Sequence, residues 1–163
     1  MTRADLLRRR IRVWLVLFLV GLVLSGVTAI PLAWELGIAV RVVGTGDNSL
    51  AHWIGHVRDG LRDTDARYPF LAYGTDWLAF GHLMIALAFV GPLRDPVRNR
   101  WVISFGMIAC VLVVPWALAF GPLRGIPFFW RLIDSSFGVV GIVPLWICRR
   151  DIDELERIEV VTS

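Results

Sequence analysis

Residues 76–93, DWLAFGHLMIALAFVGPL, decide how the chain is read, because they join membrane-spanning apolarity to an ionisable residue inside the span. A hydrocarbon layer roughly 30 Å thick needs about 20 helical residues, the lower limit being near 17. Trp77 to Leu93 supplies seventeen without a formal charge. Histidine within such a segment is uncommon, so His82 is by default a site in want of a partner.

Working outward, composition agrees with this reading. The 163 residues make one domain's worth of chain, but 56% are hydrophobic and the mean hydropathy of +0.65 exceeds the usual soluble range. All 17 basic residues are Arg, giving a net charge of +3, and they cluster between apolar runs instead of forming one basic face. That distribution argues against a nucleic-acid partner. Cys110 falls in the middle of one expected span and Cys148 at the inner end of another. Their separation of roughly half a bilayer rules out a disulfide, so both are read as small packing residues.

Three further runs complete an all-α, four-helix transmembrane bundle with spans near 13–34, 77–93, 101–120 and 128–148. The first follows Arg3, Arg8, Arg9, Arg10 and Arg12, and its 22 uncharged residues exceed the roughly 7–15 of a signal peptide, so it should span and remain. Pro31 should end or kink it, with Glu35 just beyond. The third holds Pro115, which a bundle can absorb. The fourth must take in Asp134 to cross completely. Beyond it, DIDELERIEV in the acidic 151–163 tail has a helical pattern and is expected to be a short solvated extension.

Between the first and second spans the Gly-rich GTGDN reads as a turn. An amphipathic helix over 48–66 should follow, capped by Asp47 or Asn48. Leu50, Trp53, Ile54, Val57 and Leu61 form its apolar stripe, beside a line of His52, His56, Asp59 and Asp63. It is expected to lie on the extracytoplasmic membrane surface. Thr75 or Asp76 is placed to cap the second span. Arginine placement puts the N-terminus, the 94–100 turn and Arg149–Arg150 on one side, which gives four spans with both ends cytoplasmic and suits a bacterial inner membrane. Tryptophans agree, with Trp14, Trp101 and Trp146 at inner ends and Trp34, Trp77, Trp116 and Trp130 at outer ones. The echo between ALAFVGPLR (86–94) and ALAFGPLR (117–124) is read as repeated helix-stopping chemistry, not as an inverted repeat.

The candidate site is an outer-leaflet pocket in which Glu35, Asp76, His82, Arg124, Arg131 and Asp134 converge beneath the 48–66 helix. The plainer alternative makes Asp76 and Asp134 helix caps, with Arg131 in an interfacial ion pair. A weaker metal candidate is His52 and His56 with Asp59, whose spacing offers two nitrogens and an oxygen to a divalent cation but lacks the Glu of HExxH. A b-type haem is not expected, since His82 is the sole intramembrane histidine and paired axial ligands are needed. A quinone or lipid headgroup suits His82 better. The chain has no GxSxG, CxxC or P-loop, so catalysis finds little support. The sequence therefore points to an accessory or interaction subunit without a cofactor, in the lipid bilayer, meeting a membrane protein partner or a second copy of itself. The alternative is a binder of, or an enzyme acting on, a lipophilic ligand at His82.

Overall fold

Helices account for all the regular structure in the computed structural model, which describes residues 2–43 and 48–162. The expected turn at 44–47, with the alternative cap Asp47, lies outside the described residues. In chain order come α1 (Arg3–Thr28), α2 (Leu32–Val43), α3 (Ser49–Arg67), a 3-10 turn (Pro69–Ala72), α4 (Tyr73–Ala88), α5 (Val90–Arg94), α6 (Arg100–Leu123) and α7 (Phe128–Thr162). Among the described residues four segments are long and apolar enough to cross a membrane: Arg3–Thr28, Pro69–Arg94, Arg100–Leu123 and Phe128–Val160. Each overlaps one of the four runs expected from hydropathy.

Local chemistry explains the boundaries, and two differ from expectation. The first span stops at Thr28, six residues short of Trp34. Its last turn tightens through bonds from the Ala29 amide to the Gly26 carbonyl (3.1 Å) and from Ile30 to Val27 (3.2 Å). Pro31, which has no amide to continue the ladder, instead opens α2 by accepting from the amides of Trp34 (2.9 Å) and Glu35 (3.0 Å). Trp34 and Glu35 therefore belong to a second helix. The second span is broken at Phe89, because Pro92 can neither donate to the Ala88 carbonyl nor clear it.

The two GPLR segments fold differently from each other. Pro92 sits in short α5, whereas Gly121 and Pro122 are still inside α6. What stops α6 is Gly125, held at φ +68. The amide of Ile126 reaches the Gly121 carbonyl (2.9 Å) and that of Gly125 reaches Pro122 (3.2 Å), a Schellman closure. At Gly121–Pro122, therefore, the Gly-Pro pair is not the stop signal that the sequence suggests.

Contacts divide the chain into two units, Met1–Gly21 with Ala86–Ser163, and Leu22–Ile85. The core of the first comprises Leu7, Ile11 and Leu15 of α1, Phe89, Val102 and Ile103, and Leu145, Cys148, Ile152 and Leu155 of α7. Glycines let its helices touch. At Gly138 of α7 a Cβ would collide with the Cys110 carbonyl and Val113 of α6, and at Gly106 it would meet Phe89 and Leu145 at 2.7 and 2.8 Å. Such small-residue contacts hold helices together where lipid tails are as apolar as leucine and burial alone gives no drive. Cys148 is buried and donates to the Ile11 carbonyl (3.6 Å), and both cysteines are free, as packing residues should be.

The expected solvated tail is instead docked along one face, its other face remaining open. α7 runs 35 residues, roughly 52 Å at about 1.5 Å per residue, well past a 30 Å hydrocarbon layer. Its last turns pack on the start of α1, with Asp151 and Ile152 at 0% exposure and Leu155 at 1%. The acidic face that suggested solvation is matched by arginine. Arg3 binds Glu154 (2.7 Å), Arg8 binds Glu159 (2.5 Å), and Arg10 grips Asp151 through both carboxylate oxygens. Arg100 of α6 reaches Glu156 (2.8 Å), and Arg149 holds Ser104 Oγ (2.9 Å) and Asp153 (3.5 Å). The start and the end of the described chain therefore lie side by side.

In the second unit α2 packs on α3, which buries Ile54. Asn48 caps α3, its side chain accepting from the Ala51 amide at 2.7 Å. The cap and the helix fall where the apolar stripe places them.

Candidate functional site

His82 lies nine residues into α4, about 14 Å along the helix from Tyr73. Its Nδ1–H donates to the Leu78 carbonyl one turn back, at 2.8 Å. A carbonyl can only accept, so in the neutral ring the proton is on Nδ1 and Nε2 keeps its lone pair. Across from it stands Gly26 of α1, where a Cβ would come 2.6 Å from His82 Cβ and 3.3 Å from the Ala79 carbonyl. Ala79 is buried at this crossing. A glycine at 26 is thus what allows α1 to close over the histidine. Sequence reading missed Gly26, because nothing in one chain says which helix a glycine faces.

The other five pocket candidates are placed as follows. Glu35 is in the first turn of α2, half-buried, and Asp76 is exposed in the first turn of α4. Neither Asp76 nor Thr75 caps that helix. The chain is already helical from Pro69, so the Thr75 hydroxyl donates to the Ala72 carbonyl (2.7 Å) and Asp76 simply sits in the favourable field of the N-terminus. These two share a unit with His82, and among the described residues no side-chain bond joins the three.

Arg124, Arg131 and Asp134 belong to the other unit. Arg131 lies across Gly121, whose missing side chain leaves room for its Cδ, and its guanidinium sits 5.1 Å from the Phe128 ring. Its Nε is buried and has no hydrogen-bond partner among the described residues. Asp134, six residues into α7, is half-buried beside exposed Ile133 and Phe137. Among the described residues it has no cation, and the expected Arg131–Asp134 ion pair is not formed. Arg131 is directed back along its helix to Gly121, away from the next turn.

The three residues proposed for metal are one line on α3. His52 and His56 are exposed, the His56 ring is 5.8 Å from that of Trp53, and Asp59 is held by Arg58 at 2.7 Å. Among the described residues no three His, Cys, Asp or Glu side chains gather as a metal requires.

Two electrostatic regimes result. At 149–159 five carboxylates each meet an arginine. Glu35, Asp76 and Asp134 meet none among the described residues. On α4, exposed Tyr73, Trp77 and Phe80 stack edge to face, with ring centroids 5.9 and 5.5 Å apart, forming an aromatic ladder along one open side. No family model matches the chain, and neither does any curated protein or solved structure.

Proposed function

We propose that the chain is a multi-pass protein of the cell membrane that serves as an accessory or interaction subunit, its unspent polar groups being completed by a neighbouring polypeptide. Four apolar helices support insertion. An even number of crossings returns both ends to one face, an arrangement supported by the pairing of Arg3, Arg8 and Arg10 with the 151–159 segment. Arginine enrichment makes that face cytoplasmic, in keeping with a bacterial inner membrane, and leaves α3 on the extracytoplasmic side.

Asp134 carries the reading. A carboxyl within a span, with no cation among the described residues, is costly unless something meets it, and a basic or hydrogen-bonding group on a partner helix would be its complement. The test is purification of the full chain from its native membrane in mild detergent, followed by mass and stoichiometry measurement. A stoichiometric partner, or a defined homo-oligomer, that is weakened by Asp134→Asn supports the proposal. A lone monomer sinks it.

One observation favours a second reading, a binder of a quinone or similar lipophilic ligand. The Nδ1–H of His82 is held by Leu78, so Nε2 is left to accept a hydrogen bond, as a quinol hydroxyl would supply. In that case a lipophilic molecule co-purifies and is lost on His82→Ala.

A further inference from the structure

The matched ion pairs leave an excess. Residues 2–12, 94–100 and 149–159 hold eleven arginines against seven carboxylates, an excess of four. The carboxylates are engaged within the chain, five by arginine, Asp5 by Thr2, and Asp95 by the Arg98 amide. Arg9, Arg12 and Arg150 are exposed and have no ion pair among the described residues.

Their positions are not random. Leu7, Ile11 and Leu15 define the buried face of α1, and at about 100° per residue Arg9 falls nearly opposite it, with Arg12 at its flank. Below Arg9, at i+4, i+7 and i+11, come Val13, Val16 and Val20, all exposed. On α7 the order is mirrored: from Arg150, Trp146, Val143 and Val139 follow at i−4, i−7 and i−11, and they too are exposed. Arg9 and Arg150 immediately precede the two members of the Arg10–Asp151 pair, so both cations stand at one level on paired helices.

We infer that these two tracks bind anionic phospholipid, the headgroup phosphate resting on Arg9 and Arg12 or on Arg150 and the acyl chains along the valines below. A guanidinium supplies paired donors in a plane that fits phosphate oxygens. A zwitterionic headgroup fits less well, because its own ammonium competes for the phosphate and repels the surplus arginines. The inference rests on the bilayer reading above. The two fail differently: a chain that does not insert will not reconstitute at all, whereas one that inserts without lipid preference defeats only this inference.

The experiment uses the full chain in vesicles of equal parts phosphatidylglycerol and phosphatidylcholine, with retained lipids counted by native mass spectrometry after mild extraction. The expected result is several-fold enrichment of phosphatidylglycerol, declining as salt rises. Arg9→Gln, Arg12→Gln and Arg150→Gln should each lower it, by about fivefold where the arginine acts fully. The triple Arg→Lys variant, which keeps the charge but not the planar paired donors, should retain only part of the enrichment. Since none of the three makes an ion pair among the described residues, thermal melting of all variants should match the parent, which separates lost binding from lost folding. Retention of both lipids in the vesicle ratio, undiminished enrichment in the triple Gln variant, or displacement of the lipid by inorganic phosphate beyond that caused by sodium chloride at the same ionic strength would overturn the inference.

Discussion

The Arg10–Asp151 pair makes an asymmetric prediction. Both oxygens of Asp151 accept from Arg10, but the Asp151 side chain is 0% exposed while that of Arg10 is 53% exposed. Arg10→Gln leaves a buried carboxylate with no counter-charge, which costs about 3–5 kcal/mol where a buried pair is broken. Asp151→Asn leaves a guanidinium that can turn to water, so the loss is closer to that of a charge-assisted hydrogen bond, about 1.5–3 kcal/mol, and falls toward the lower end because Arg10 is solvated. The double variant strands nothing and should be more stable than Arg10→Gln alone. Unfolding of the full chain in mild detergent, followed by circular dichroism against increasing SDS, gives the three differences. If Arg10→Gln proves as mild as Asp151→Asn, or the double variant equals the sum of the singles, the buried carboxylate is not the seat of the cost and the reasoning fails. The neighbouring pairs, Arg3–Glu154 and Arg8–Glu159, are more exposed and should each contribute no more than about 1 kcal/mol.

Three further expectations follow from particular contacts. Gly26→Ala should destabilise by about 1–3 kcal/mol through overpacking against His82 and the Ala79 carbonyl, while Gly21→Ala, with nothing within 4 Å, should be neutral or stabilising; equal melting shifts for the two would exclude the close crossing. Ile152→Ala should cost about 2–5 kcal/mol in the same SDS titration, a loss that a solvated tail could not produce. Asn48→Ala should weaken α3 by about 1 kcal/mol and speed amide exchange at Ala51, and unchanged exchange there would mean that the cap does not hold the helix.

Much of the fold is legible in the sequence because hydropathy over about 20 residues is a local property. A run such as Trp101 to Phe120 spans whatever its neighbours do. The α3 helix is legible for the same reason, its cap and stripe lying within twenty residues of one another. The candidate site is less so: its residues were named one by one, but the Leu78 carbonyl that orients His82, and Gly26 that lies over it, follow from rotamer and helix crossing.

The sequence by itself determined that four helices are apolar enough to cross a membrane and where their charged flanks begin. Tertiary structure alone decided that one face of the acidic end of α7, through Asp151, Ile152 and Leu155, is buried against α1 instead of being solvated all round. The hydrophobic spacing of Ile152 and Leu155 is visible in DIDELERIEV, but its complement, Leu7 and Ile11 with Arg3, Arg8 and Arg10, lies some 140 residues away. Burial and charge pairing are properties of two surfaces in contact, and a single segment carries only one of them.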